Sequence, residues 1–283
     1  MKTVKIVGVP EHFNLPWQLC IENGEFEAEN IDLQWTNIPE GTGKMCQMLR
    51  NEEADIAVIL TEGIVKDIAA GNPSKIVQIY VQSPLIWGIH VASKSDFHSL
   101  KDLKNKKAAI SRLGSGSQLM AYVNANEQGW ETNDLKFEIV NTIDGAVEAL
   151  TNGSADYFMW EHFMTKPLVD QGIFRRIGDC PTPWPSFVIT VRDEFLKENT
   201  KTVEKILEII NRTTSDFKQI PSIDQTLSSL FNQKIEDIQD WLKLTHWSQK
   251  QLEEKAFNKI QNQLFDLGII EKKSTFVEMV KAL

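Results

Sequence analysis

Ile110-Ser-Arg-Leu-Gly-Ser-Gly-Ser-Gln-Leu-Met120 combines polar donor side chains with a backbone that a ligand can approach. The apolar run Ala108-Ala-Ile110 stops at Ser111, and a helical pattern of Leu119, Tyr122 and Val123 follows the glycine-serine loop. This is the grammar of a strand, a loop and a helix N-terminus. The first N–H groups of such a helix lack internal partners and carry the positive end of the helix dipole. Glycines admit close approach and serines add hydroxyl donors, so the stretch suits an anionic or strongly polar ligand group. The same residues also make an ordinary capped helix start, with Ser115 or Ser117 as N-cap. On the motif alone the capped helix start is favoured, because Gly-Ser-Gly-Ser is common, and it is the place of the stretch in the chain that moves the balance.

Other chemistries leave no trace. No nucleophile elbow, P-loop, dinucleotide fingerprint or metal-ligand cluster is present. The three cysteines, Cys20, Cys46 and Cys180, are odd in number and far apart, which reads as buried free thiols rather than a disulfide framework or a zinc motif. With 283 residues, 42% of them hydrophobic and 24% charged, the chain can fill two compact lobes. Its net charge is −9, and its densest basic run is only Lys104-Asn-Lys-Lys107, which argues against nucleic acid as a partner. No apolar run is long enough to span a membrane. Met1-Lys-Thr-Val-Lys-Ile-Val-Gly-Val-Pro10 reads directly into a strand, without a signal peptide. As written, the chain is expected to be cytoplasmic. It is expected to be periplasmic or lipid-anchored if a targeting segment has been removed.

The elements that must position the loop follow from periodicity. Val4–Val9 is a β-rich run, and Asn14 with Pro16 opens a helix ending near Gly24. Ile31, Leu33 and Trp35 alternate as a half-buried strand does, and Met45, Met48 and Leu49 fall at helical spacing. Residues 55–60 form a buried strand, followed by a Thr61-Glu62 helix start and strands at 76–81 and 86–91. Strand and helix alternate, which predicts a parallel, helix-covered sheet. The alternation repeats with strands at 107–110, 136–140, 157–160, 174–177 and 187–191. An internal echo links the halves: Leu49-Arg-Asn-Glu-Glu-Ala-Asp55 and Leu150-Thr-Asn-Gly-Ser-Ala-Asp156 each lead into a buried strand and then a glutamate. Beyond Arg192 the pattern is helical, with stripes of Val203, Ile206, Leu207 and Ile210; of Ile223, Leu227, Leu230 and Phe231; and of Leu252, Ala256, Ile260, Leu264 and Leu267. Ser222-x-x-Gln225 and Ser248-x-x-Gln251 read as capping boxes.

The order of Gly8-Val-Pro10, Gly41-Thr-Gly43, Ala54-Asp-Ile-Ala57, Ser99-Leu-Lys-Asp-Leu103 before Ser111–Ser117, and Gly153-Ser-Ala-Asp156 resembles the type 2 periplasmic-binding-protein fold. Within it, the chain resembles the branch that binds nitrate, sulfonates, taurine or the pyrimidine precursor of thiamine. The resemblance implies an α/β fold of two Rossmann-like lobes with a helical C-terminal tail. Lobe one would be 1–92 plus 187–283, and lobe two 93–186. A small solute would bind in the cleft between them, at the carboxyl ends of the strands, with hinge closure around it.

That placement selects the candidate binding residues. Lobe one would contribute Glu11, His12, Asn14, Thr42, Gly43, Thr61, Glu62, Ser83 and Trp87. Lobe two would contribute Ser111, Arg112, Ser115, Gly116, Ser117, Trp160, Glu161, His162, Trp184 and Ser186. Each has a structural alternative. Trp160 and Trp184 suit packing as well as a flat ligand body. His12 and His162 suit satisfied loop histidines, and Glu62 and Glu161 simply favour helix N-termini. Arg112 either pairs an anion bidentately or is a solvated surface residue. The three glutamates count against a bare sulfate or nitrate site and favour a zwitterion or an amino-substituted ring. No catalytic residue, metal or cofactor is expected.

Three functions fit. One is a solute-binding protein that delivers a small organic ligand to an ABC-transporter permease. Another is a cytosolic enzyme on the same fold, of thiamine-pyrimidine or menaquinone-pathway type, with Glu11, His12 or His162 as its acid or base. The cysteine-rich segment of the fungal thiamine-pyrimidine synthases is missing. The third is a cytosolic ligand sensor.

Overall fold

The computed structural model describes residues 1–283 and divides the chain into two units, Met1–Ser83 with Trp184–Leu283, and Pro84–Pro183. The changeovers at 83/84 and 183/184 differ from the expected 92/93 and 186/187. The strand at 86–92 belongs to the second unit's sheet, and Trp87 goes with it, whereas Trp184 and Ser186 belong to the first unit.

The strands are β1 (Lys2–Gly8), β2 (Ile31–Asn37), β3 (Ile56–Leu60), β4 (Ser74–Val81), β5 (Ile86–Ala92), β6 (Lys107–Ile110), β7 (Lys136–Ile139), β8 (Tyr157–Glu161), β9 (Phe174–Pro181) and β10 (Phe187–Arg192). The helices are α1 (Leu15–Glu22), α2 (Thr42–Arg50), α3 (Thr61–Ala69), α4 (Gly116–Glu127), α5 (Ile143–Asn152), α6 (Lys166–Asp170), α7 (Asp193–Asp216), α8 (Ile223–Phe231), α9 (Ile235–Leu244), α10 (Glu254–Asp266) and α11 (Phe276–Met279). None is long and apolar enough to cross a membrane.

The first unit holds a sheet ordered β2-β1-β3-β10-β4, and the second one ordered β7-β6-β8-β5-β9. Neither is wholly parallel as expected. β10 runs antiparallel to β3 and β4, and β5 runs antiparallel to β8 and β9. The two orders are the same, with one antiparallel strand fourth in each sheet. The Ala-Asp echo has a physical basis in both. The Asp55 carboxylate accepts from the Lys5 amide at 3.0 Å while the Asp55 amide donates to the Lys5 carbonyl at 2.9 Å. Asp156 repeats both bonds with Lys107, each at 2.8 Å. The preceding alanines, Ala54 and Ala155, are buried, so each turn places a small side chain inward and a carboxylate on the neighbouring strand.

Each unit has its own core. In the second, Ala109, Val140, Ala146, Ala149, Leu150, Phe158 and Phe174 cluster where α5 lies on the sheet. In the first, residues 56–59 of the all-apolar β3 and the inner residues of β1 and β10 are buried, as are Val203, Ile206 and Ile210 of α7. Burying each such side chain contributes roughly 1.5–3 kcal/mol. The C-terminal tail is not purely helical. Residues 246–250 run along the free side of β4, exchanging bonds such as Ser248 N–H to Tyr80 O (2.9 Å) and Ile79 N–H to Lys250 O (2.8 Å). This covers a strand edge that would otherwise expose unpaired backbone. It also explains why Ser248 starts no helix: its hydroxyl accepts from the Lys250 amide, and α10 begins only at Glu254. Ser222 does stand at the head of α8, but in the left-handed region (φ 59°) and without a side-chain cap bond.

Candidate functional site

In the first unit β2, β1, β3 and β4 point the same way, so their carboxyl ends share one edge of the sheet with the amino end of antiparallel β10. Five stretches therefore converge there: Val9–Asn14, Ile38–Gly43, Thr61–Glu62, Gln82–Ser83 and Trp184–Ser186. They are tied closely. The Thr61 amide and hydroxyl donate to Ser186 O (3.1 Å) and Pro185 O (2.6 Å), and the Ser186 hydroxyl donates to Ser83 O (2.9 Å). The Ser83 hydroxyl accepts from the His246 amide (3.0 Å). Thr42 lies against Gly63, where any side chain would collide with its methyl group, so the starts of α2 and α3 are held together. Gly43 beside it is exposed.

Glu62 is the most constrained of these residues. It is 2% exposed, and its Oε2 accepts from the Trp184 indole N–H at 2.7 Å. Burial pushes its carboxyl from 4.5 up to about 7, against the lowering effect of its own backbone N–H and the indole. Its Oε1 has no partner. Glu11 keeps some exposure as a residue, yet loss of water around its carboxyl also raises it to about 7. Asn14 is 3% exposed. Its Nδ2 donates to Val9 O at 2.8 Å, which fixes the amide orientation and leaves the buried Oδ1 unpartnered.

His12 does not join this edge. Its ring, 1% exposed, packs on Phe231 and Trp241 at centroid distances of 4.0 and 5.1 Å, and its Nε2 meets Gln233 Oε1 at 3.2 Å. Burial lowers its pKa to about 4 despite the Gln233 bond, so it is a neutral core residue near pH 7. A residue that the sequence offered only as a strand position stands at the edge instead. The Trp35 indole occupies the space beside Gly8, next to Asn14, and donates to Asn37 Oδ1 at 2.8 Å. The available signal was a tryptophan near the end of a strand whose neighbour ends in glycine.

In the second unit β7, β6, β8 and β9 are parallel, and their carboxyl ends share an edge with the amino end of β5. Ser111–Ser117 follows β6 there, and Trp87 of β5 pairs in register with Glu161 of β8. Ser115 is the N-cap of α4, its Oγ accepting from the Gln118 amide at 3.3 Å. Ser117 Oγ accepts from the Ser111 amide (3.0 Å) and shares a hydrogen bond with Ser115 Oγ (3.0 Å). The serine hydroxyls thus fasten the loop to itself, while Gly116, the first residue of α4, stays half-buried. Arg112 is half-buried beside them. The Trp160 ring stacks on Phe158 (5.3 Å) and meets Trp87 edge-on (6.3 Å). Trp87 is 5% exposed, and its indole Nε1 has no partner.

Glu161 and His162 carry local structural duties. Glu161 Oε2 accepts from the Met164 amide at 2.7 Å in the turn that precedes α6. His162 contacts Asp179 at 3.0 Å and the Arg176 guanidinium. Burial alone would raise Asp179, but the His162 hydrogen bond and the Arg176 charge outweigh it and hold the carboxyl below its usual range.

Two five-stranded α/β units of one sheet order, with a helical C-terminal region in the first, invite comparison with solved structures. The Candida albicans CA3427 gene product, described as defining a new family of proteins with the generic periplasmic binding protein fold, superposes with a TM-score of 0.89. It is 25% identical, over 99% of this chain and 96% of that one. The chain has the type 2 periplasmic-binding-protein fold. The family model of Ca3427-like periplasmic binding proteins matches residues 87–180. The same fold is shared with the alkanesulfonate-binding protein SsuA from Xanthomonas axonopodis pv. citri, bound to MOPS (TM-score 0.84, 15% identity, 100% of this chain and 99% of that one). It is shared too with the periplasmic nitrate-binding protein NrtA from Synechocystis PCC 6803 (TM-score 0.73, 15% identity, 97% and 83%). No curated protein sequence matches the chain. In a periplasmic-binding-protein fold the carboxyl ends of the strands are where open α/β sheets place their ligands, and those are the edges where Glu62, Asn14 and Trp87 hold unpartnered polar atoms.

Proposed function

We propose that this chain is a solute-binding protein for a small polar organic ligand, bound at a carboxyl-end edge of its sheets. The observation that carries the reading is the set of buried, unpartnered polar atoms at those edges: Glu62 Oε1 and Asn14 Oδ1 in one unit, and Trp87 Nε1 in the other. Buried polar atoms are nearly always hydrogen-bonded, and orphans gathered at strand ends are places where a ligand's polar groups would complete them. The structures sharing this fold include an alkanesulfonate-binding and a nitrate-binding protein, which supports the same class of function. In that setting the macromolecular partner is an ABC-transporter permease. The aminopyrimidine, sulfonate and zwitterion classes remain the ligands to screen.

Calorimetry and thermal shift against aminopyrimidines, taurine, alkylsulfonates and polyamines test the proposal. A saturable ligand that raises the melting temperature is the expected result. A second reading, an enzyme on the same fold, has one observation in its favour: Glu11 and Glu62 both hold carboxyls near 7, suited to general acid–base work. Turnover of a screened compound that disappears in Glu11→Gln would replace the binding reading with the enzymatic one.

A further inference from the structure

The sheet of the second unit ends in β7, and the outer side of that strand is open. The Val140 amide donates to Ile110 O at 2.9 Å, so by alternation Lys136 and Glu138 turn their backbone groups toward β6. Phe137 and Ile139 turn theirs outward, where no backbone bond or bridge from elsewhere in the chain reaches them. Other edges are guarded. Residues 246–250 cover β4, and β9 has a register shift against β5 and ends at Pro181. β7 has neither proline nor register shift.

Its side chains sort by face. Leu135, Phe137 and Ile139 lie on the α4 side, where the Tyr122 ring is 5.5 Å from that of Phe137. Leu135 is extended (ψ 131°) and so continues the strand. Leu135 and Phe137 are half-buried, whereas Ile139 is 50% exposed; Ile139 and Leu113 are the large apolar side chains that this unit exposes. On the opposite face Lys136 is exposed and makes no ion pair, and Glu138 has only an exposed pair with Lys107 at 3.3 Å. Leu135-Lys-Phe-Glu-Ile139 is therefore complementary to its own reverse: apolar, cation, Phe137, anion, apolar.

We propose that β7 is a docking edge for a second copy of this chain, the two β7 strands pairing antiparallel about a twofold axis at Phe137. That register sets Lys136 opposite Glu138 twice on one face. On the other it sets Leu135 opposite Ile139 twice, around a central pair of Phe137 rings. The outward N–H and C=O of Phe137 form the central two bonds. Opposite charges and apolar side chains directly across a strand pair are attractive, and like charges repel. In-register parallel pairing would oppose Lys136 to Lys136 and Glu138 to Glu138, so the charges select the antiparallel arrangement. The ladder is short, which places the contact among the small, reversible interfaces. It does not depend on what the strand-end edges bind.

Sedimentation velocity on the full chain, from about 5 to about 500 μM, tests the proposal. The sedimentation coefficient should rise with concentration toward that of a dimer. Ile139→Lys, at an exposed position, should weaken association by about tenfold or more with the circular dichroism unchanged. Lys136→Glu and Glu138→Lys, each alone, turn two attractive pairs into two repulsive ones and should weaken it comparably. The double variant, or an equimolar mixture of the two single variants, restores every opposite-charge pair and should recover the dimer. A chain that stays monomeric throughout this range overturns the inference. So does association that none of the β7 variants alters, which puts the contact on another face. Single reversals that weaken the dimer, with no recovery in the double variant or the mixture, overturn it as well.

Discussion

The burial of the Glu62 carboxyl costs the fold stability in a way that depends on pH. Its carboxyl rises from 4.5 unfolded to about 7 folded, so between those pH values the folded chain holds a proton that the unfolded chain releases. Stability is therefore fully present below about pH 4.5 and is lost as pH rises through 7. At about 1.4 kcal/mol per pH unit the loss approaches roughly 3 kcal/mol. The buried histidines work in the opposite sense. His12 and His90 are lowered from 6.5 to about 4, so they remove stability as pH falls. Glu62→Gln separates the two effects. Urea unfolding should show the variant gaining on the parent as pH rises from 5 to 8, by up to about 3 kcal/mol, with the histidine-dependent acid limb unchanged. A pH-independent difference would show that the carboxyl is solvated in the folded chain. No feature of the sequence foretold that Glu62 would be clamped by Trp184, since 122 residues separate them. That Thr61-Glu62 opens a helix after a buried strand was plain from the apolar run at 56–60.

The turn that enters the third strand of each sheet shows what local sequence can and cannot convey. Ala54-Asp55 and Ala155-Asp156 look like generic helix-to-strand turns, yet each carboxylate accepts from the amide of a lysine on an adjacent strand, Lys5 or Lys107. Asp156→Ala should destabilise the second unit by about 1–3 kcal/mol, because the partly buried Lys107 amide loses its acceptor, while Asp156→Asn should recover much of this. Equal losses in both variants would assign the effect to the turn's conformation rather than to the bond. The Ser111–Ser117 loop behaves similarly. A capped helix start was legible there, but the bonds of Ser115 and Ser117 to the loop itself were not, because the sequence does not say where a hydroxyl turns. Since the hydroxyls are engaged, a ligand held by this loop would meet its backbone, and Gly116→Val should then weaken binding far more than it lowers the melting temperature. Comparable losses in both would mean that the glycine serves folding alone. His12 marks the limit at this scale. Its partners Phe231, Gln233 and Trp241 come from the helical tail, and nothing near His12 in sequence announces them.

At the scale of the whole chain, the two-unit organisation was visible from the repeated alternation of strand and helix, and the boundary was not. β5 is apolar except for His90 and is buried at its centre, so its sequence suits either sheet, and only pairing with β8 and β9 assigns it to the second unit. The observed boundaries have a consequence for folding. In the second unit, Leu85 and Thr182 exchange two bonds, Thr182 N–H to Leu85 O (2.9 Å) and Leu85 N–H to Thr182 Oγ1 (3.0 Å). The ends of Pro84–Pro183 are thus adjacent and internally fastened. In the first unit, the Ser186 amide and hydroxyl both reach Ser83 O, so its two segments also meet where the other unit departs. Each unit has a complete five-stranded sheet and a core of its own, which are the marks of an independently folding domain. Pro84–Pro183 expressed alone should therefore show the far-UV circular dichroism of an α/β protein and a single cooperative urea transition. The remainder, with Ser83 joined to Trp184 through a short glycine linker, should do the same. A second unit that is unfolded alone yet cooperative within the intact chain would show that its stability is borrowed, and that β5 needs more than the partners its own sheet provides.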